Sequence, residues 1–245
     1  PLAMLGALLA KPAFRAVASK LDYREYGGGL LLGANGVVVI AHGRSDELAM
    51  ENAVRVAVSA VDANIVQIIQ ERIAASHALV LGAGGLGSPV ALYLAGAGVG
   101  RITLVDDDTV DLTNLQRQIA HTQARIGQRK VESAREAMLQ INPQARVDVV
   151  PRRADAALLA ELVEQATLAI DCSDNFATRH ALNAACVHHG VPLVSGAAIR
   201  FDGQVSVFDS RVRADGERAP CYACLFPPDV QVEEVRCAVM GVFAP

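Results

Sequence analysis

The stretch LVLGAGGLGSP, residues 79–89, decides the fold. An apolar run beginning at residue 77, HALVLG, reads as a buried strand and breaks into Gly82-x-Gly84-Gly85-x-Gly87. Residues 85–98, rich in small side chains, continue as a helix. Strand, glycine turn and helix in that order make a phosphate cradle. Glycines permit the tight turn and let phosphates approach backbone N–H groups, and the helix N-terminus favours negative charge. Asp106 closes the next strand, RITLVD, about 20 residues on, where a carboxylate accepts from ribose hydroxyls. The turn leaves its ligand open between a nicotinamide dinucleotide for hydride transfer and ATP for carboxylate activation.

The rhythm around this stretch gives the architecture. After RITLVD come a helix (KVESAREAMLQIN, stopped by Asn142-Pro143), a strand (ARVDVV), a helix (DAALLAELVEQA) and a strand (LAIDCSDN). A helix closed by Gly190, a strand (VPLVSGA) and an alternating strand (GQVSVFD) complete the series. Repeated βα units imply an α/β fold: a Rossmann-like sheet with helices on both faces. The first part of the chain reads differently. An apolar opening, taken as an amphipathic helix, leads to two short β-type runs (LLL, VVVIA) around the turn Gly-Ala-Asn-Gly. One long helix then runs from Glu47 to residue 75, with Val54, Ala57, Val58, Val61, Ile65 and Ile68 at helical spacing. Residues 1–76 are therefore expected to form a small N-terminal α/β appendage.

Composition narrows the function. The chain of 245 residues is 52% hydrophobic with net charge −4, which supplies a core but no basic surface for nucleic acid. No apolar stretch reaches the roughly 18 residues of a membrane span. Five cysteines, an odd number with one close pair, fit a cytoplasmic protein with metal-binding or reactive thiols.

The segment after Asp106 separates the two ligands. DDDTVDLTNLQRQ places Asp108, Asn114 and Arg117 beyond the strand end, and Lys130 starts the following helix. A hydride-transfer enzyme does not need this cluster. Attack on the α-phosphate of ATP does, because charge on the triphosphate must be offset as the bond to pyrophosphate lengthens. Asp174, in DCSDN, suits Mg²⁺, which takes one or two carboxylates plus phosphate oxygens.

GAGGLGSPVALYLAGAGVGRITLVDDDTVDLTNLQRQ, GQRKVESA, INP, DCSDNFATRHALN and VPLVSGAAIRFDGQVSVF resemble the MoeB/ThiF/HesA family over residues 77–245. The resemblance implies MgATP-dependent adenylation of the C-terminal Gly-Gly carboxylate of a small ubiquitin-fold sulfur carrier (MoaD- or ThiS-like), with release of pyrophosphate, by a homodimer. It puts the phosphates at Gly85 within Gly82, Gly84, Gly85 and Gly87, and the ribose at Asp106. Asn114, Arg117 and Lys130 then meet the triphosphate, and Asp174 with Asn175 beside it meets Mg²⁺. The wording is nearest the MoeB branch, which serves molybdopterin synthase. In this family Cys221-x-x-Cys224 is half of a structural zinc site. The second CxxC is not found, so Zn²⁺ is expected only as a half site on a domain short at its C-terminus. Cys237 resembles the family cysteine that forms a covalent link to the carrier. Cys172, taken as mid-strand, and Cys186, mid-helix, read as core residues. The family's N-terminal RYxRQ-type arginine motif is missing. Residues 8–75 instead resemble the C-terminal end of the phosphate acyltransferase PlsX, as in a fusion or chimera. The alternatives to an active adenylyltransferase are a nucleotide-binding but catalytically incomplete remnant, a phosphate acyltransferase and a nicotinamide oxidoreductase.

Overall fold

The run His77–Leu81 is a central strand of a six-stranded sheet in the computed structural model, which describes residues 10–14, 17, 22–199 and 202–228. The chain separates into two units, residues 1–71 and 72–245.

In the first unit a helical turn, α1 (Tyr23–Tyr26), is capped by Asp22, which accepts from the amide of Arg24. Strands β1 (Gly29–Leu30) and β2 (Val39–Ile40) pair antiparallel across the expected turn. The long helix read from sequence is broken in two, α2 (Glu47–Asp62) and α3 (Ile65–Ala74), the boundary between the units falling within α3. The break lies at Asn64, whose φ of 50° is left-handed; asparagine tolerates this region because its short amide bonds locally. The packed face of α2 is Ala49, Asn52, Ala53 and Ala60, whereas Val54, Val58 and Val61 are exposed. Close approach is the reason: a Cβ on Gly27 would lie 2.1 Å from the Ala53 nitrogen. Only a small-residue face admits a backbone that near.

In the second unit, β3 (His77–Leu81) lies between parallel neighbours β4 (Arg101–Val105) and β6 (Leu168–Asp171). With β5 (Arg146–Val150), β7 (Leu193–Ile199) and β8 (Asp202–Phe208) the order is β5-β4-β3-β6-β7-β8, and only β8 is antiparallel. Successive residues of β3 alternate between two cores. Ala78 and Val80 join Ile102, Leu104 and the inner sides of α4 (Gly87–Gly96) and α5 (Lys130–Ile141). Leu79 and Leu81 join Val105 and the inner sides of α6 (Ala156–Glu164) and α7 (Phe176–His189). Helices therefore cover both faces, the doubly wound form expected from the βα series.

Two features of this topology place the site. The chain moves outward from β3 through β4 to β5, then returns to β6 on the other side. That reversal makes a crevice beyond the carboxyl ends of β3 and β6, where ligands bind in such sheets. The register pairs Leu81 with both Val105 and Asp171, so the three strands end level. Strand β6 stops at Asp171 instead of running on to Asn175. The Asp171 carboxylate accepts from the amide and hydroxyl of Ser173, which turns the chain outward. Cys172, expected mid-strand, is the first residue of that turn. No single helix among the described residues is long and apolar enough to cross a membrane; the bent pair α2–α3 meets the criterion by length and composition.

Candidate nucleotide site

The glycine turn spans Gly82–Gly87. The fold itself requires two of its glycines. Gly82 has φ +99°, and a Cβ there would lie 2.7 Å from the Cys172 carbonyl oxygen. A Cβ on Gly87 would lie 1.8 Å from the Gly82 carbonyl oxygen. The other two are not required by packing. A Cβ on Gly84 would meet only Gln118 Nε2 at 3.7 Å, and one on Gly85 only the Arg117 side chain at 3.5–3.7 Å, ordinary contact distances. The space above Gly84 and Gly85 is therefore room for a ligand. Among the described residues, the amides of Gly84, Gly85 and Leu86 donate to no acceptor. Leu86, the N-cap of α4, supplies no side-chain cap. Successive free amides at a helix N-terminus form an anion-binding concavity.

The loop after β4 surrounds this concavity with charge. Asp106 is half-buried, and its oxygens accept from the amides of Ala83 (2.7 Å) and Asp108 (2.8 Å). Burial pushes its carboxyl up, against the two amides and Lys130, which lower it. Each oxygen keeps a lone pair, so Asp106 braces the turn and can still accept from a ribose. Arg117 lies beside Gly85, and its Nη2 donates to Asn114 Oδ1 at 2.9 Å. Lys130, at the start of α5, is buried, and its Nζ meets the exposed Asp108 carboxylate at 2.7 Å. Gln118 is also buried, and its Oε1 has no partner. Its Nε2, a donor, is the side-chain atom nearest the space above Gly84.

The second wall comes from β6. Asp174 is exposed; Asn175 Nδ2 approaches its Oδ1 at 3.5 Å. Asn175 Oδ1 accepts from the Thr178 amide and so caps α7. Beneath them lies a buried network. Asp171 accepts from Ser195 Oγ at 2.7 Å and pairs with Arg179 at 3.6 Å, and Arg179 Nη2 donates to the Ser173 carbonyl. The structure thus gathers Gly82, Gly84, Gly85, Gly87, Asp106, Asp108, Asn114, Arg117 and Lys130 about one turn, with Asp174 and Asn175 on the neighbouring strand end.

Three carboxylates, Asp106, Asp107 and Asp108, hold ligand atoms within 4.8 Å of one another, a group to which Asp174 does not belong. Cys221 and Cys224 stand apart from the cradle, at the N-terminus of α8 (Tyr222–Leu225). Their thiols are free and 3.7 Å apart, and Asn183 Nδ2 lies 3.6 Å from Cys221 Sγ. Partial burial pushes the Cys221 thiol up. Hydrogen bonds from Asn183, Cys224 and the Ala223 amide outweigh it and leave the thiol below its ordinary value. Cys172 and Cys186 are pushed up to about 12, Cys172 by burial and the Asp171 charge, Cys186 by the same two causes, so both are inert thiols. Cys237 lies outside the described residues.

Gln118, His121, Asp171 and Arg179 also support this site, although no motif in the sequence marks them. Gln118 sits inside the QRQ triplet already singled out, and Asp171 is the first acid of DCSDN. Neither residue type announces whether it faces solvent or a ligand.

A family model described as ThiF matches residues 54–245, and one described as a fatty acid synthesis protein matches residues 1–68. The molybdopterin-synthase adenylyltransferase of Escherichia coli is 49% identical over 176 residues, 72% of this chain and 68% of that protein. The sulfur carrier protein ThiS adenylyltransferase of the same organism is 42% identical over 72% of this chain and 68% of its own length. Among solved structures, the E. coli tRNA N6-threonylcarbamoyladenosine dehydratase TcdA in complex with ATP superposes with a TM-score of 0.54 at 34% identity. The match covers 59% of this chain and 60% of that one.

Proposed function

The chain belongs to the ThiF family, and from that premise we propose that it adenylates the C-terminal glycine carboxylate of a ubiquitin-fold sulfur carrier of the molybdopterin-synthase or thiamine type. The observation that carries this reading is the cradle: free amides at Gly84, Gly85 and Leu86, with Arg117 lying beside Gly85. It is supported by relatives named for this activity at 42–49% identity and by a solved relative in complex with ATP at the same fold.

A chain-terminal carboxylate, with a pKa of roughly 3.5, is already ionised at neutral pH and needs no general base. Its oxygen attacks the α-phosphorus of ATP, a new O–P bond forms, and the bond to pyrophosphate breaks. The difficulty is bringing two anions together. The turn amides hold the phosphates, Asp106 holds the ribose, Arg117 and Lys130 offset charge on the leaving pyrophosphate, and Asn114 donates to it through Nδ2 while its Oδ1 holds Arg117. Lys130 is released from Asp108 or bridges from it, since one ammonium has three donors. A bound Mg²⁺ supplies further neutralisation of phosphate oxygens. Asp174 fits that ion, because its oxygens are exposed and only weakly engaged by Asn175. The Cys221–Cys224 pair fits half a zinc site: two thiolates on tetrahedral zinc stand about 3.8 Å apart, close to the 3.7 Å seen here. Cys237 is assigned the covalent link to the carrier. The enzyme is assigned to the cytoplasm as a homodimer, with residues 77–245 as the adenylating domain and residues 1–76 as a PlsX-like appendage.

Carrier-dependent exchange of labelled pyrophosphate into ATP tests the reading. Exchange is expected with a molybdopterin-type or thiamine-type carrier, and Arg117→Ala should lower it at least 100-fold with the melting temperature unchanged. ATP binding without exchange by any carrier would reduce the chain to a nucleotide-binding remnant. An unaltered Mg²⁺ titration in Asp174→Asn would remove Asp174 from its role.

A further inference from the structure

We propose that His121 is a positioning residue that aims the phosphate-binding amide of Gly84, an inference that rests on the nucleotide reading of this site. His121 is buried, and its Nε2 lies 3.0 Å from the Ala83 carbonyl oxygen. Its Nδ1 lies 2.9 Å from Ser133 Oγ. A carbonyl only accepts, so Nε2 carries the proton, and Nδ1 accepts from the Ser133 hydroxyl. Arg125 Nη1 supports the far side, donating to the Ser133 carbonyl and lying 3.3 Å from Ser133 Oγ.

The Ala83 carbonyl belongs to the same peptide plane as the Gly84 N–H, and no described peptide is cis. In a trans peptide the two groups point in opposite directions. Holding the carbonyl inward against the imidazole therefore turns the Gly84 amide outward, into the space that packing leaves empty. The preceding plane is fixed as well, by the Ala83 amide on Asp106. Without His121, the Ala83–Gly84 peptide keeps only the 3.3 Å contact from Ser88 Oγ. Between two glycine-rich segments it is then free to rotate.

The groups facing the ring predict its acid response. Burial holds its basicity below that of an ordinary histidine, Lys130 and Arg125 add to this, and the Ala83 carbonyl and Asp106 work against it. Protonation adds a donor on Nδ1, which the Ser133 hydroxyl rotates to accept, and leaves the Nε2–H bond to the Ala83 carbonyl in place, so the clamp persists in both states of the ring.

The test uses the full chain and titrates ATP against adenosine, which lacks the phosphates. His121→Gln keeps a donor near the Nε2 position, and His121→Asn keeps one only near Nδ1. His121→Asn is expected to weaken ATP about tenfold, the worth of one hydrogen bond to a charged group, with adenosine changed less than twofold. His121→Gln is expected to stay within threefold of the native chain. Between pH 7.5 and 5.5 the native ATP-to-adenosine ratio should fall no further than that of His121→Gln, because Nε2–H holds the Ala83 carbonyl in both protonation states. Equal ATP affinity in the native chain and His121→Asn, or a loss in His121→Gln as large as that in His121→Asn, overturns the inference. A native chain that binds no ATP overturns the site reading itself. If His121→Asn does not fold, Ser133→Ala, which frees Nδ1 and with it the tautomer, is expected to weaken ATP at least twofold with adenosine unchanged, and no change in ATP affinity there overturns the inference.

Discussion

At the scale of single residues, the turn separates glycines that the sequence writes alike. Gly87→Ala places a methyl 1.8 Å from a backbone oxygen that cannot move aside. Loss of about 3 kcal/mol or more is expected in denaturant unfolding. Gly85→Ala meets only Arg117 methylenes at van der Waals distance, so the melting temperature should stay within about 2 °C. The same methyl occupies the ligand space, and ATP affinity should fall about tenfold or more. If Gly85→Ala costs as much stability as Gly87→Ala, the claim that its space is reserved for a ligand is wrong. The contrast shows what the sequence made legible. The motif located the cradle, and Arg117 and Lys130 stood out because cationic charge beside a phosphate turn has an evident use. Gln118 and His121 did not stand out. Their roles depend on which buried atoms they meet, and no spacing rule encodes that.

At the scale of elements, the order of strands and helices in the second unit was legible from periodicity, because each element buries one or two faces. Their ends were less legible, because ends are set by side-chain capture of the backbone. Asp171 stops β6 by taking the Ser173 amide, and Asn64 divides one expected helix into two. Asp171 has a second task, since Arg179 from the first turn of α7 pairs with it in the interior. The Arg179 side chain is 11% exposed and that of Asp171 1%. Removing the charge from one partner strands the other. Asp171→Asn is expected to cost about 3 kcal/mol in urea unfolding, and adding Arg179→Met should return part of that loss. Strictly additive effects would mean that the two groups do not act as a pair. A smaller change tests the cap: Asn175→Ala should cost about 1 kcal/mol through the lost bond to the Thr178 amide.

At the scale of the whole molecule, two buried histidines brace β3 from opposite ends and make the fold sensitive to acid. His77 begins the strand. Its Nδ1 lies 2.7 Å from the Gln165 carbonyl oxygen and its Nε2 lies 2.8 Å from Thr103 Oγ1, so Nδ1 carries the proton and Nε2 accepts. His121 meets Ala83, just beyond the strand's other end. Burial is the largest influence on both rings and pushes both below the ordinary value of 6.5. In the unfolded chain each titrates near 6.5, so between that value and the lowered one the unfolded state binds more protons. Stability is therefore whole above pH 6.5 and is lost as pH falls through the lowered values. The carboxylates add acid loss of their own at lower pH, so the histidine share must be isolated by variants. His77→Asn keeps a donor toward Gln165, and His121→Gln keeps one toward Ala83; neither titrates. The native chain should lose melting temperature between pH 7 and pH 5, and the double variant should lose measurably less over the same interval. Superimposable pH profiles would show that the two rings stay neutral throughout, and that acid acts on this molecule through its carboxylates alone.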